Sequence, residues 1–230
     1  MISHFNKKLG RFAIIEWVII GIMIYFFVVL ERMMLAKLAI LIFAIVTHEL
    51  AHGVVAYRCG DSTAKNQGRL TLNPMAHIDP LGSIFLPLML VMSGSPFLFG
   101  WAKPVPVNIQ NLNDPQNDMV KVALAGPLSN ISLAVIFSVV SNTFNGLAPI
   151  IMALLSYGIV INIVLAVFNL IPIPPMDGSR VLYRFLPYQG RRFLDQIEPY
   201  GLWIIILLAF FNFFEIILRT ISIPIIQILL

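Results

Sequence analysis

Long apolar runs joined by short polar segments dominate this chain. Phe12–Leu30, Met33–Tyr57, Met119–Thr143, Ala148–Phe168 and Tyr200–Leu218 are almost free of charge over lengths near the 20 or so residues a helix needs to cross a bilayer core. Each predicts a membrane helix. The first run follows Lys7, Lys8 and Arg11, exceeds the apolar core of a signal peptide and has no small-residue cleavage site after it, so it is expected to be retained. Between the second and third runs the pattern changes. Cys59 to Pro80 is polar, and Gly68-Arg69-Leu70-Thr71-Leu72-Asn73 alternates as a half-buried strand does, until Asn73-Pro74 ends it. Leu81 to Trp101 is apolar but interrupted by Pro87, Gly94 and Pro96, and the prolines of Lys103-Pro104-Val105-Pro106-Val107 require extended backbone before them. Residues 81–107 are therefore expected to form a re-entrant or partly inserted hairpin. Ser179 to Gln196 sets Arg180, Arg184, Arg191 and Arg192 among apolar residues, as a helix lying on a membrane surface would.

The pattern predicts an all-α polytopic membrane protein of about five to six membrane segments, with a small β-strand and re-entrant element before the third span. One domain covers 1–230, with a core of about 33–178, a surface amphipathic segment over 179–196 and a C-terminal span over 200–218. Composition agrees: 59% of the 230 residues are hydrophobic, 11% are charged, and the mean hydropathy is +0.89. No large soluble domain fits. The net charge of +4 comes from scattered Lys and Arg, which argues against nucleic-acid binding. With Lys7, Lys8 and Arg11 inside, the positive-inside rule also places Arg58, Lys65, Arg69, Lys121 and the four arginines of 180–192 on the cytoplasmic side, leaving Arg32 and Lys37 as exceptions. Cys59 is single and sits at a helix end, so it reads as structural.

Chemistry concentrates in the second run. In His48-Glu49-Leu50-Ala51-His52 the two histidines, four residues apart, share one helix face and can reach one metal ion, and Glu49 stands beside it as a general base for a metal-activated water. Such residues are costly inside a lipid-embedded helix and mark a functional site there; the competing reading is a polar cluster that pairs helices. Counted from Leu35 at 1.5 Å per residue, His48 lies about 20 Å along the helix, roughly two-thirds of the way across the core. Catalytic zinc usually has three protein ligands, and Asp177 is the candidate third. It ends a stretch in which Pro172, Pro174 and Pro175 prevent regular helix, backbone tolerated at membrane depth only where protein lines a cavity. The competing reading makes Asp177 a helix N-cap. Asn130 and Asn169 are candidates to stabilise an oxyanion or hold substrate backbone, or else to hydrogen-bond between helices. His77 either supports the site or a loop. The predicted strand offers Leu70, Thr71 and Leu72 as an edge to which an unwound substrate adds, or it pairs with a neighbour such as Val105 to Asn108.

His48-Glu49-Leu50-Ala51-His52 together with Asn169…Pro172…Pro174…Met176-Asp177-Gly178 resembles the site-2 protease family of intramembrane zinc metallopeptidases. Gly60-Asp61, Gly68 to Pro74, His77-Ile78-Asp79-Pro80, Phe99 to Pro106 and Ala125-Gly126-Pro127-Leu128-Ser129-Asn130 also resemble its compact prokaryotic members, so the likeness covers roughly 12–195. The family's usual Leu before Asp-Gly is Met176 here. The resemblance implies that His48, His52 and Asp177 bind one Zn²⁺ per chain and that Glu49 is the base. It implies hydrolysis of peptide bonds in the transmembrane segment of a membrane-protein substrate, and the depth of His48 with the positive-inside orientation is expected to put the site within the cell membrane nearer its cytoplasmic side. The rival functions are a metal or ion transport protein, disfavoured because the ionisable groups gather at one depth, and a catalytically inactive relative that binds membrane helices.

Overall fold

The computed structural model describes residues 31–93, 100–144 and 146–230; the first expected helix, 12–30, lies outside them. The chain divides into a unit of Met1–Ala39, described only as helix over 31–39, and a unit of Ile40–Leu230, which holds the site. Helix α1 covers Glu31–Arg58. It is followed by the short α2 (Thr63–Asn66), α3 (Leu86–Met92), α4 (Pro115–Thr143), α5 (Pro149–Asn169), α6 (Asp177–Phe185) and α7 (Tyr188–Ile197). The chain ends in α8 (Gly201–Phe210), α9 (Phe213–Ile217) and α10 (Ile223–Leu229). Four helical stretches among the described residues are long and apolar enough to cross a membrane: α1, α4, α5 and the run Tyr188–Phe210. The protein is an all-α, multi-pass membrane protein. The expected last span, 200–218, is interrupted where Asn212 adopts a left-handed conformation (φ 56°).

No strand forms among the described residues, and the expectation of one over 68–73 is corrected by what its backbone does instead. Gly68, at φ +65°, closes α2: its N–H donates to the Lys65 carbonyl and the Arg69 N–H to the Ala64 carbonyl, a paired helix stop that favours glycine. This swings Arg69 inward, where it is buried and its guanidinium donates to the carbonyls of Lys103 (2.8 Å) and Pro104 (3.2 Å). The Thr71 carbonyl is taken by His77 Nε2, and the Asn73 N–H by Thr71 Oγ1. With the Gly68, Arg69 and Asn73 N–H groups and the Thr71 carbonyl engaged in these turns, the segment does not form a ladder. The alternation reflected one buried arginine rather than a sheet face.

Gly60 ends α1 in the same way, at φ +106°, with Gly60 N–H on Tyr57 O and Asp61 N–H on Ala56 O. Asp61, fully buried, then accepts from the Thr63 and Asn108 N–H groups and from Asn111 Nδ2. It thereby ties the extended stretch before residue 109 to the end of α1. The hairpin over 81–107 begins as a π-helical turn (Pro80–Phe85) and α3, whose seven residues are too short to span. Ser83 Oγ donates to Trp101 O, and Trp101 N–H to Gly82 O, so the excursion returns to where it began.

Helices α4 and α5 pack as an antiparallel pair, and α4 packs on α6. Small buried residues (Ala44, Ala123, Ala125, Ala134, Ala166) let the helices approach, as membrane interfaces require in the absence of a hydrophobic drive. Asp114 accepts from the Asn117 N–H, Pro115 occupies the first helical position, and α4 starts there for both reasons. Its outer face, with Leu128, Ile131, Val135, Ile136 and Val139, is exposed and suited to lipid. The surface segment expected over 179–196 is two helices, α6 and α7, broken where Pro187 follows Leu186.

Candidate metal centre

One face of α1 presents His48 and His52, both buried, and α6 opens with Asp177. Their ligand atoms converge. Nε2 of His48 and Nε2 of His52 lie 3.0 Å apart, and Asp177 Oδ2 lies 3.1 and 3.2 Å from them. Asp177 caps nothing, because the N-cap position of α6 is Met176 and has no side-chain cap. It is delivered by the irregular backbone after α5. Gly178 makes that turn possible, since a Cβ there would strike the Leu170 carbonyl. On α4, Gly126 faces the imidazoles: an added Cβ would sit 2.5 Å from His48 Nε2 and collide with His52. Pro127 within α4 loosens this same turn.

Hydrogen bonds at the far side of each ring decide what the near side can do. The His52 Nδ1–H donates to the Val122 carbonyl (2.7 Å), which leaves Nε2 as a lone pair. His48 Nδ1 faces Asn130 Oδ1 at 2.6 Å. The orientation of Asn130 follows from its neighbours: its Nδ2 donates to Ala44 O (3.3 Å) and to Asn162 Oδ1 (2.9 Å), while Asn162 Nδ2 donates to Gly158 O (2.9 Å). The chain of donors ends on a backbone carbonyl, so the amide cannot be turned round and His48 Nδ1 carries the hydrogen. Both Nε2 atoms therefore offer lone pairs, and they face a carboxylate oxygen that has no hydrogen-bond donor among the described residues. Three acceptors about 3 Å apart repel one another unless a cation lies between them. Zinc ligands stand about 2.0–2.2 Å from the ion, which separates neighbours in a tetrahedral set by about 3.3 Å. The donor set fits zinc, and the carbonyl and amide behind the two histidines fit the outer shell such ligands require.

Glu49 leaves the same turn of α1, and its Oε2 accepts the Val105 N–H at 2.7 Å. Gly53, one turn on, lets this segment lie close: a Cβ would fall 2.5 Å from Leu70 Cδ2 and 2.9 Å from Val105 Cγ1. Of the other expected site residues, Asn130 is fully buried with both amide hydrogens engaged, so it orients His48 and has none left for an oxyanion. Asn169 donates to Leu165 O (2.9 Å), keeping one amide hydrogen. Leu70 packs on α1, the Thr71 carbonyl belongs to His77, and Leu72 is exposed; none lies on a strand edge. Asn162 was not anticipated. A fully buried amide inside an apolar span was its only signal, and that points to function by default.

Residues 146–212 match the model for peptidase family M50. The chain is 40% identical over 176 residues to the Bacillus subtilis protein named "Putative zinc metalloprotease YwhC", covering 73% of this chain and 77% of that one. It is 28% identical over 162 residues to "Putative zinc metalloprotease Rip2" of Mycobacterium tuberculosis, covering 70% of this chain and 61% of that one. It is 44% identical over 62 residues to "Putative zinc metalloprotease MJ0611" of Methanocaldococcus jannaschii, covering 27% and 32% respectively. No solved structure matches.

Proposed function

The chain belongs to peptidase family M50, the site-2 protease family of zinc metalloproteases, and from that premise we propose that it cuts membrane-spanning segments of other proteins inside the bilayer with one zinc per chain. What carries this reading is the triangle of lone pairs formed by His48, His52 and Asp177 around one point, on a helix that is apolar enough to cross the membrane. When bound, zinc supplies a Lewis acid that polarises the scissile carbonyl and acidifies a water. His48, His52 and Asp177 hold it. Glu49 takes the proton from the attacking water and passes it to the leaving amide nitrogen. The Val105 N–H on Oε2 stabilises negative charge at that oxygen and fixes the carboxylate plane, so Oε1 receives the proton. Asn169, at the end of α5, spends one amide hydrogen on the Leu165 carbonyl and keeps one, which we propose is offered to the oxyanion. Basic residues at and beyond the end of α1, Arg58 and Lys65 among them, favour a site nearer the cytoplasmic surface.

The test uses purified protein and a model substrate with one transmembrane segment in micelles. Wild type is expected to cut within the segment. Glu49→Gln keeps zinc and loses cleavage by at least about a hundredfold. His48→Ala, His52→Ala and Asp177→Ala each lose zinc as measured by metal analysis. A Glu49→Gln protein cutting at near wild-type rate overturns the mechanism, and cuts confined to soluble flanks of the substrate overturn the intramembrane reading.

A further inference from the structure

Away from the metal centre, a cavity of about 170 Å³ opens between the start of α4 and the helices α6 and α7. Its lining carries Arg180, Arg184 and Arg191 with Tyr183, against the apolar Ile109, Pro115 and Met119, and no carboxylate lines it. Glu198 pairs with Arg180. The other two guanidiniums meet only neutral oxygens among the described residues: Arg184 Nε donates to Asn117 Oδ1 at 3.0 Å, and Arg191 donates to Leu186 O (2.9 Å) and Arg184 O (3.2 Å). Arg184 keeps both terminal nitrogens, the fork that suits a phosphate. Arg191 also lies over the Tyr183 ring, 5.6 Å from its centroid, which holds it at the cavity.

The location selects the kind of anion. α4 begins at Pro115 and α5 ends at Asn169, so the cavity sits at the level where two membrane spans terminate. Beside it Phe185, Tyr188 and Phe193 are exposed (76%, 77% and 59%), aromatic side chains of the type that rests at the headgroup boundary. A free anion would need the charges alone; charges, an apolar wall and an aromatic rim together suit a molecule with a phosphate and an acyl chain. We propose that this cavity binds the phosphate-bearing headgroup of an anionic phospholipid, with Arg184 and Arg191 on the phosphate and the acyl chains leaving past Ile109 and the exposed aromatics. The bound lipid fixes α6, the helix that carries Asp177, at the membrane surface.

Full-length, zinc-loaded protein in neutral detergent, exposed to equal amounts of phosphatidylglycerol and phosphatidylcholine, is expected to retain one phosphatidylglycerol per chain by native mass spectrometry. Arg184→Gln removes the fork, and Ile109→Trp fills the cavity without removing charge. Each should reduce phosphatidylglycerol retention roughly fivefold or more, with zinc content and helicity unchanged. Arg192→Gln, on α7 but outside the cavity, should not. Should Arg184→Gln fail to fold, Ile109→Trp carries the test. Equal retention of the two lipids, or undiminished retention in both cavity variants, overturns the proposal. Displacement by inorganic phosphate at the same concentration also overturns it, by assigning the site to a free anion.

Discussion

The Nε2 lone pairs of His48 and His52 are turned toward Asp177 by groups on the far side of each ring. Without an acceptor behind Nδ1, each ring is free to move its hydrogen to Nε2 and present a donor where a lone pair is needed. Asn130 blocks this for His48, and Asn162 keeps Asn130 from turning over. Asn130→Leu is therefore expected to weaken zinc retention by about 10–100-fold in chelator competition. Asn162→Leu should weaken it less, because Ala44 O still receives Asn130 Nδ2. Unaltered zinc affinity in both variants would show that the amide chain merely pairs helices. The histidines and Glu49 were legible because their chemistry demands a fixed spacing on one helix. Asn162 was not, because its partner lies 32 residues away in the chain and no spacing rule links the two.

At the scale of elements, the segment that brings Val105 to Glu49 depends on Asp61. Burial alone would raise this carboxyl, but the Thr63 side chain and N–H, the Asn108 N–H and Asn111 Nδ2 hold it below the ordinary carboxylate range. A carboxyl whose folded value lies below its unfolded one stabilises the fold above the unfolded value, near pH 4, and loses that contribution as pH falls through the folded value. Asp61→Asn should lower stability by about 1–3 kcal/mol at pH 7, since it exchanges an acceptor for a donor among buried donors. Thermal unfolding of the two proteins should converge below about pH 4; a gap that persists unchanged into acid would exclude the ionised carboxylate as the cause. The long apolar helices α1, α4 and α5 appeared where the hydrophobic runs placed them. The strand did not, because alternation over six residues cannot distinguish a sheet face from a glycine-closed turn that buries a single Arg69.

Across the whole molecule the metal position joins α1 to α6, elements separated in the chain by α2 through α5. A ligand that binds only the folded arrangement stabilises it by mass action, about 4 kcal/mol when free metal exceeds its dissociation constant a thousandfold. Chelation is expected to lower the melting temperature of wild type and of Glu49→Gln alike, and to leave the already metal-free Asp177→Ala unmoved. A wild-type melt indifferent to chelation, with the metal removed, would mean that the site does not couple these helices. From sequence alone came the membrane class, the helices α1, α4 and α5, and the choice of His48, Glu49, His52 and Asp177 as candidates, of which the structure brings the two histidines and Asp177 together. All follow from local rules: residues per turn, the cost of polar groups in lipid, the refusal of proline to continue a helix. Tertiary structure alone decided that Asn130 and the Val122 carbonyl set the histidine tautomers, that Gly126 leaves room for them, that the Val105 N–H holds Glu49, and that three arginines share a cavity. Those contacts depend on which face of one helix meets another, which packing determines and no local pattern encodes.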